Sequence, residues 1–103
     1  MVVAMIRSRI RPERAEEYYR KVDEMAAIAT NMPGFISYKS YTSPDGERVS
    51  IHEWESAAEL KAWREHPEHR KMQAYGRENF YLEYTIYVCE APRVSRFKYE
   101  AAK

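Results

Sequence analysis

Hydrophobic and polar positions alternate with period two from the start of the chain. Val2, Ala4, Ile6 and Ile10 fall on one side and Met5, Arg7 and Arg9 on the other, which predicts a strand over Val2–Ile10. Pro12 suits the first turn of a helix, where its missing N–H would have no partner anyway. From Glu13 to Thr30 the period changes: Ala15, Tyr18, Val22, Met25, Ala26 and Ala29 recur as one stripe on a 3.6-residue repeat, with Glu, Arg and Lys outside it. Asn31-Met32-Pro33-Gly34 stops that helix, because proline disfavours helical geometry in the residue before it and glycine permits the turn.

Two strands follow, Phe35–Thr42 and Arg48–Glu55, joined by Ser43-Pro44-Asp45-Gly46, whose Asp-Gly step has hairpin chemistry. Ser56 with Glu59 three residues on forms a capping box for a short helix, Ala57–Glu65, that buries Leu60 and Trp63. Pro67 restarts the chain as a third helix to about Arg77, with Gly76 near its end. His69, Met72, Gln73 and Gly76 share one of its faces. Phe80–Glu90 is the last strand, apolar at Phe80, Leu82, Tyr84, Ile86 and Val88.

The order is βαββαβ with the second helix split in two. This is an α+β, ferredoxin-like arrangement in which helices cover one face of an antiparallel sheet. The other face is expected to carry Val3, Met5, Phe35, Tyr41, Val49 and Ile51. An apolar face of that extent calls for a second subunit, so a homodimer is expected. Residues 1–91 read as one domain. Residues 92–103 are either a loose tail or a short strand through Val94–Tyr99 that reaches the partner.

Composition narrows the function classes. The 103 residues carry 17 Lys and Arg against 16 Asp and Glu, interspersed along the chain, so neither a nucleic-acid face nor a polybasic membrane patch is expected. No stretch approaches the ~20 apolar residues of a membrane span. The short apolar start lacks the features of a signal peptide, and Cys89 is the single cysteine, as suits a reducing cytoplasm. With no base beside it in sequence, Cys89 is expected to be an inert buried thiol. Aromatic residues reach 14%, which suits a ligand pocket, a subunit interface or core packing.

Several segments together carry a resemblance: Met32-Pro33-Gly34-Phe35, His52-Glu53-Trp54-Glu55-Ser56 and Ala62-Trp63-Arg64-Glu65-His66-Pro67-Glu68-His69, then Gln73, Gly76-Arg77-Glu78 and Phe80-Tyr81. The chain resembles the antibiotic biosynthesis monooxygenase family across nearly its whole length. The resemblance implies a dimeric α/β barrel in which each subunit holds a pocket between its helices and its own sheet. It also implies one of several activities, among them cofactor-independent oxidation of phenols or quinols by O2 and haem degradation. Haem-degrading relatives use an Asn on the first strand, a Trp on the short helix and an iron-ligating His on the next helix. Trp63 matches the Trp, but the His position falls on Gln73 and the Asn position on Ile6 or a neighbour. That argues against haem degradation, although His69, one turn earlier, could still reach a ligand.

Oxidation by O2 without a cofactor needs a base, donors to hold the substrate anion and a dry pocket. His69 is the candidate base, or else a half-exposed histidine near a helix start. Gln73 is either a donor to a substrate oxygen or an ordinary polar residue on a helix flank. Trp63 lines the pocket or fills the core. Trp54 and His52 lie on one side of their strand, bordering either the pocket or the dimer interface. Tyr38 and Tyr84 are further substrate-binding candidates, followed by Tyr75 and Tyr81. No resident cofactor is expected, and no metal site: Pro67 between His66 and His69 points those rings differently. The leading expectation is a cofactor-free monooxygenase for a small aromatic, quinol or polyketide-like substrate. The alternative is a non-catalytic dimer that binds a hydrophobic metabolite or acts as a regulator.

Overall fold

A computed structural model describes residues 1–101. β1 spans Val2–Ile10. A 3-10 turn over Pro12–Arg14 leads into α1, Ala15–Ala29, then come β2, Phe35–Thr42, and β3, Arg48–Trp54. The short α2, Ala57–Arg64, precedes α3, Pro67–Asn79, and β4, Tyr81–Glu90. The strands form one antiparallel sheet in the order β2-β3-β1-β4, with β1 paired on both sides. This is the α+β, ferredoxin-like arrangement expected, with the second helix divided.

Local chemistry explains the boundaries. Gly46 takes a left-handed φ of 91° in the β2–β3 turn, where the Asp45 carboxylate accepts from the Glu47 amide at 3.0 Å. Gly34 is also left-handed, at φ 83°, and a Cβ there would overlap the Glu59 side chain. Ser56 caps α2 by accepting from the Glu59 amide at 3.2 Å. His66 caps α3 in the same way, its Nδ1 accepting from the Glu68 amide at 3.1 Å.

Pairing fixes which side chains face the helices. Val2, Ala4, Ile6 and Ser8 of β1 do so, level with Trp54, His52, Ser50 and Arg48 of β3 and with Val88, Ile86 and Tyr84 of β4. One group of core residues, Val2, Ala4, Ala29, Trp54, Leu60 and Trp63, packs at one end; Tyr18, Met72 and Phe80 form another.

Two expectations are corrected. Phe35 does not lie on the outer face. An irregularity in β2 between Phe35 and Ser37 changes the alternation, so Phe35 packs edge-on against Trp54 and Tyr38 faces the helices as well. Gly76 lies near the end of α3, as expected, and is buried there; a Cβ would come within 2.7 Å of the Tyr81 ring. Cys89 is exposed, since it projects from the uncovered outer face of β4 opposite Val3.

That outer face carries Val3, Met5, Val49, Ile51, Tyr41 and Tyr87. At one end it is bordered by the ion pairs of Arg7 with Glu47 and of Arg9 with Asp45 and Glu83. Tyr41 and Tyr87 are about half exposed, with the Lys39 ammonium 5.6 Å from the centre of the Tyr41 ring. From residue 91 to residue 101 the chain has no regular structure, with Val94, Phe97 and Tyr99 exposed. Among the described residues no helix is long and apolar enough to cross a membrane.

Candidate functional site

The helices and the inner face of the sheet enclose a cavity of about 420 Å³. Its mouth lies along β4, where Tyr84, Ile86 and Val88 line the cavity yet remain partly exposed. The side chains singled out from the sequence, His69, Gln73, Trp63, Trp54, His52, Tyr38 and Tyr84, all line this one space. Tyr81 lines it too. Tyr75 does not; its hydroxyl donates to Glu17 at 2.7 Å on the outside of the molecule. Trp54 and His52 therefore belong to the pocket side of β3, as parity along that strand requires once Trp54 is buried.

An aromatic ladder forms the closed end. Trp54 stacks on Trp63 with centroids 6.4 Å apart, and Trp63 stacks on His69 at 4.4 Å. The position of His69 early in α3 places its ring over the indole, and its Nδ1 is buried without a hydrogen-bond partner. Burial pushes its pKa down, against a weaker upward pull from the backbone of Arg64 and Trp63, so the ring is neutral at pH 7. His52 is held lower still. Burial, and then the proximity of His69, bring it down to about 4. Its Nδ1 accepts from the Trp54 indole N–H at 2.8 Å.

Arg48 went unrecognised in the sequence as more than the first residue of a strand. It is 5% exposed, and its guanidinium donates to the hydroxyls of Tyr18 at 2.8 Å and Tyr38 at 2.7 Å. It also lies 5.3 Å from the centre of the Tyr18 ring. Burial opposes its charge, but the flanking tyrosines more than offset this, and the group stays protonated. A signal for it did exist: Arg48, Ser50, His52 and Trp54 share one parity, and the apolar Val49 and Ile51 hold the other.

The matching family model decides what kind of protein this is. Residues 1–75 match the model described as antibiotic biosynthesis monooxygenase. The chain belongs to that family.

Another relative of this monooxygenase-family chain is YqjZ of Bacillus subtilis, 28% identical over 95 residues that cover 92% of this chain and 83% of YqjZ. Among solved structures, Rv0793 from Mycobacterium tuberculosis superposes with a TM-score of 0.81 at 23% identity, covering 92% of this chain and 98% of Rv0793. SnoaB, a cofactor-independent oxygenase from Streptomyces nogalater, superposes at 0.77 with 17% identity, covering 90% and 94%. At such identities the likeness of these two is one of fold. Of the positions compared with haem-degrading relatives, Ile6, Trp63 and Gln73 all line the cavity, as does His69 one turn earlier in α3. Among the described residues no three His, Cys, Asp or Glu side chains cluster in a way that could hold a metal ion.

Proposed function

We propose that the chain is a cofactor-independent monooxygenase that oxidises a small aromatic, quinol or polyketide-like substrate with O2, His69 acting as the base. One observation carries this reading: a neutral imidazole at the wall of an apolar cavity, stacked on Trp63. Such a ring can take a proton from an activated C–H or O–H of the substrate. The resulting electron-rich anion reduces O2 itself. For a CH2 flanked by aromatic rings the balance is CH2 plus O2 giving C=O plus water, with every electron supplied by the substrate. Gln73 and the Nε2 side of His52 are placed to donate to the anion, and the indoles of Trp54 and Trp63 help to keep water out. The fold shared with SnoaB supports the same reading.

The chain is proposed to act as a homodimer, the apolar outer sheet face of one copy covering that of another. Support comes from the exposed Tyr41 and Tyr87 beside Val3, Met5, Val49 and Ile51, bordered by charge. Sedimentation at micromolar concentration should return twice the chain mass, and a clean monomer removes this part of the proposal.

O2 uptake by chelator-treated protein, offered a panel of anthrones, quinols and hydroxylated aromatics, tests the activity. Uptake that requires the protein and falls in His69→Ala supports the oxygenase. Tight binding with no uptake over hours would replace it with a carrier of hydrophobic metabolites, the reading favoured by how few other basic groups face the cavity.

A further inference from the structure

The cavity wall holds a buried cation, Arg48, with no counter-anion, while the other arginine at the cavity, Arg64, is exposed. Among the described residues Arg48 pairs with no Asp or Glu, and no Asp or Glu lines the cavity at all. Its two hydrogen bonds go to tyrosine hydroxyls. Tyr18 cannot ionise to serve as the counter-charge, because burial raises its pKa above the ordinary range. A charge removed from water and left unpaired is costly, and buried charges are therefore normally matched by an opposite one. Here the match is missing from the chain itself.

The surroundings extend this into a row of donors. Ser50 and His52 follow Arg48 on the same face of β3, each step about 7 Å along the strand. Ser50 is buried and lines the cavity. His52 uses Nδ1 as an acceptor for Trp54, so its neutral ring carries the proton on Nε2. The Tyr38 hydroxyl accepts from Arg48 and keeps its own proton free to donate. A guanidinium has further N–H groups beyond the two used on the tyrosines. Val22 and Met25 of α1 also line the cavity, and Ile86 lies on the same sheet face two strands away.

We infer that this cavity binds an apolar organic anion, with the hydrocarbon body against the aliphatic and indole walls and the oxyanion against Arg48 and the Tyr38 hydroxyl. A carboxylate and an acidic phenol present the same chemistry here. The inference narrows the substrate class of the oxygenase and rests on that reading for the reaction, while the recognition of charge can be measured by binding alone.

Titration calorimetry on the full chain tests it with three probes: 2-naphthoate, 2,4-dinitrophenolate and the neutral 2-naphthylmethanol. One of the anions should bind about tenfold or more tighter than the alcohol, in keeping with hydrogen bonds to a charged group. Tighter binding of naphthoate identifies a carboxylate ligand, and tighter binding of the phenolate an acidic phenol. Arg48→Met should bring the favoured anion down to the alcohol's level and leave the alcohol unchanged, and Arg48→Lys should restore part of the preference. Equal or tighter binding of the alcohol, no binding of either anion, or an undiminished preference in Arg48→Met would overturn the inference. If Arg48→Met fails to fold, the comparison in the unaltered chain decides. Loss of anion preference with O2 uptake intact would remove the charge recognition alone. Anion preference without uptake would remove the oxygenase alone.

Discussion

The indole N–H of Trp54 donates to Nδ1 of His52 across 2.8 Å, and this bond exists only while that nitrogen is unprotonated. The pKa of His52 is lowered from 6.5 to about 4, so the unfolded chain binds this proton more readily than the folded one. The sign follows directly. Stability from this site is complete above pH 6.5, falls as the pH drops toward 4, and stays lost below that. Thermal melts across this window should show Tm declining with acid, and His52→Gln should flatten part of the decline. A Tm independent of pH between 6.5 and 4 would refute the pairing.

His69 should separate activity from stability. Its ring stacks on Trp63, but its Nδ1 is buried without a partner, so removing the ring loses packing and relieves an unsatisfied group together. His69→Ala is expected to change stability by about 1 kcal/mol or less while lowering turnover about tenfold or more. Unchanged turnover would exclude the ring as the base.

Gly76→Ala tests a contact rather than a helix propensity. An added Cβ gains roughly 1 kcal/mol of helix preference but meets the Tyr81 ring at 2.7 Å. Overpacking should win, for a net loss of about 1–2 kcal/mol in denaturant titration. In a Tyr81→Leu background the same substitution should become neutral or stabilising, because the ring atom it strikes is gone. A loss of equal size in both backgrounds would place the cost elsewhere.

Ser56→Ala removes the acceptor for the Glu59 amide and should cost about 1 kcal/mol. Ser56→Asp should retain most of that stability, since a carboxylate can accept from the same amide. Urea melts of the two variants separate loss of the cap from any general sensitivity of the position.

Features governed by neighbours in sequence were legible in advance. The stripe from Ala15 to Ala29, the Ser56–Glu59 box and the Asp45-Gly46 turn each follow from residues a few positions apart. Features governed by distant neighbours were not. The Tyr81 ring that Gly76 makes room for is not signalled locally, and Cys89 reads as buried until its sheet face is found uncovered. The candidate residues of the cavity were recognised as aromatic, histidine and amide groups on particular helix and strand faces. Arg48 escaped notice because arginine belongs by default to the surface, and only the absence of an acid around it gives it meaning.

The irregularity in β2 has a consequence for tolerance to length change. One extra residue, in the region of Ile36, lets Phe35 reach Trp54 and Tyr38 reach Arg48 from a single strand. Deleting Ile36 would leave Phe35, Ser37 and Tyr38 in strict alternation, with both rings still facing the helices. Straightening the strand with Ile36 in place would instead turn either the aromatic edge contact or the hydroxyl on the guanidinium to the opposite side of the sheet. The strand's chemistry tolerates the loss of this residue, but not its absorption into a regular ladder.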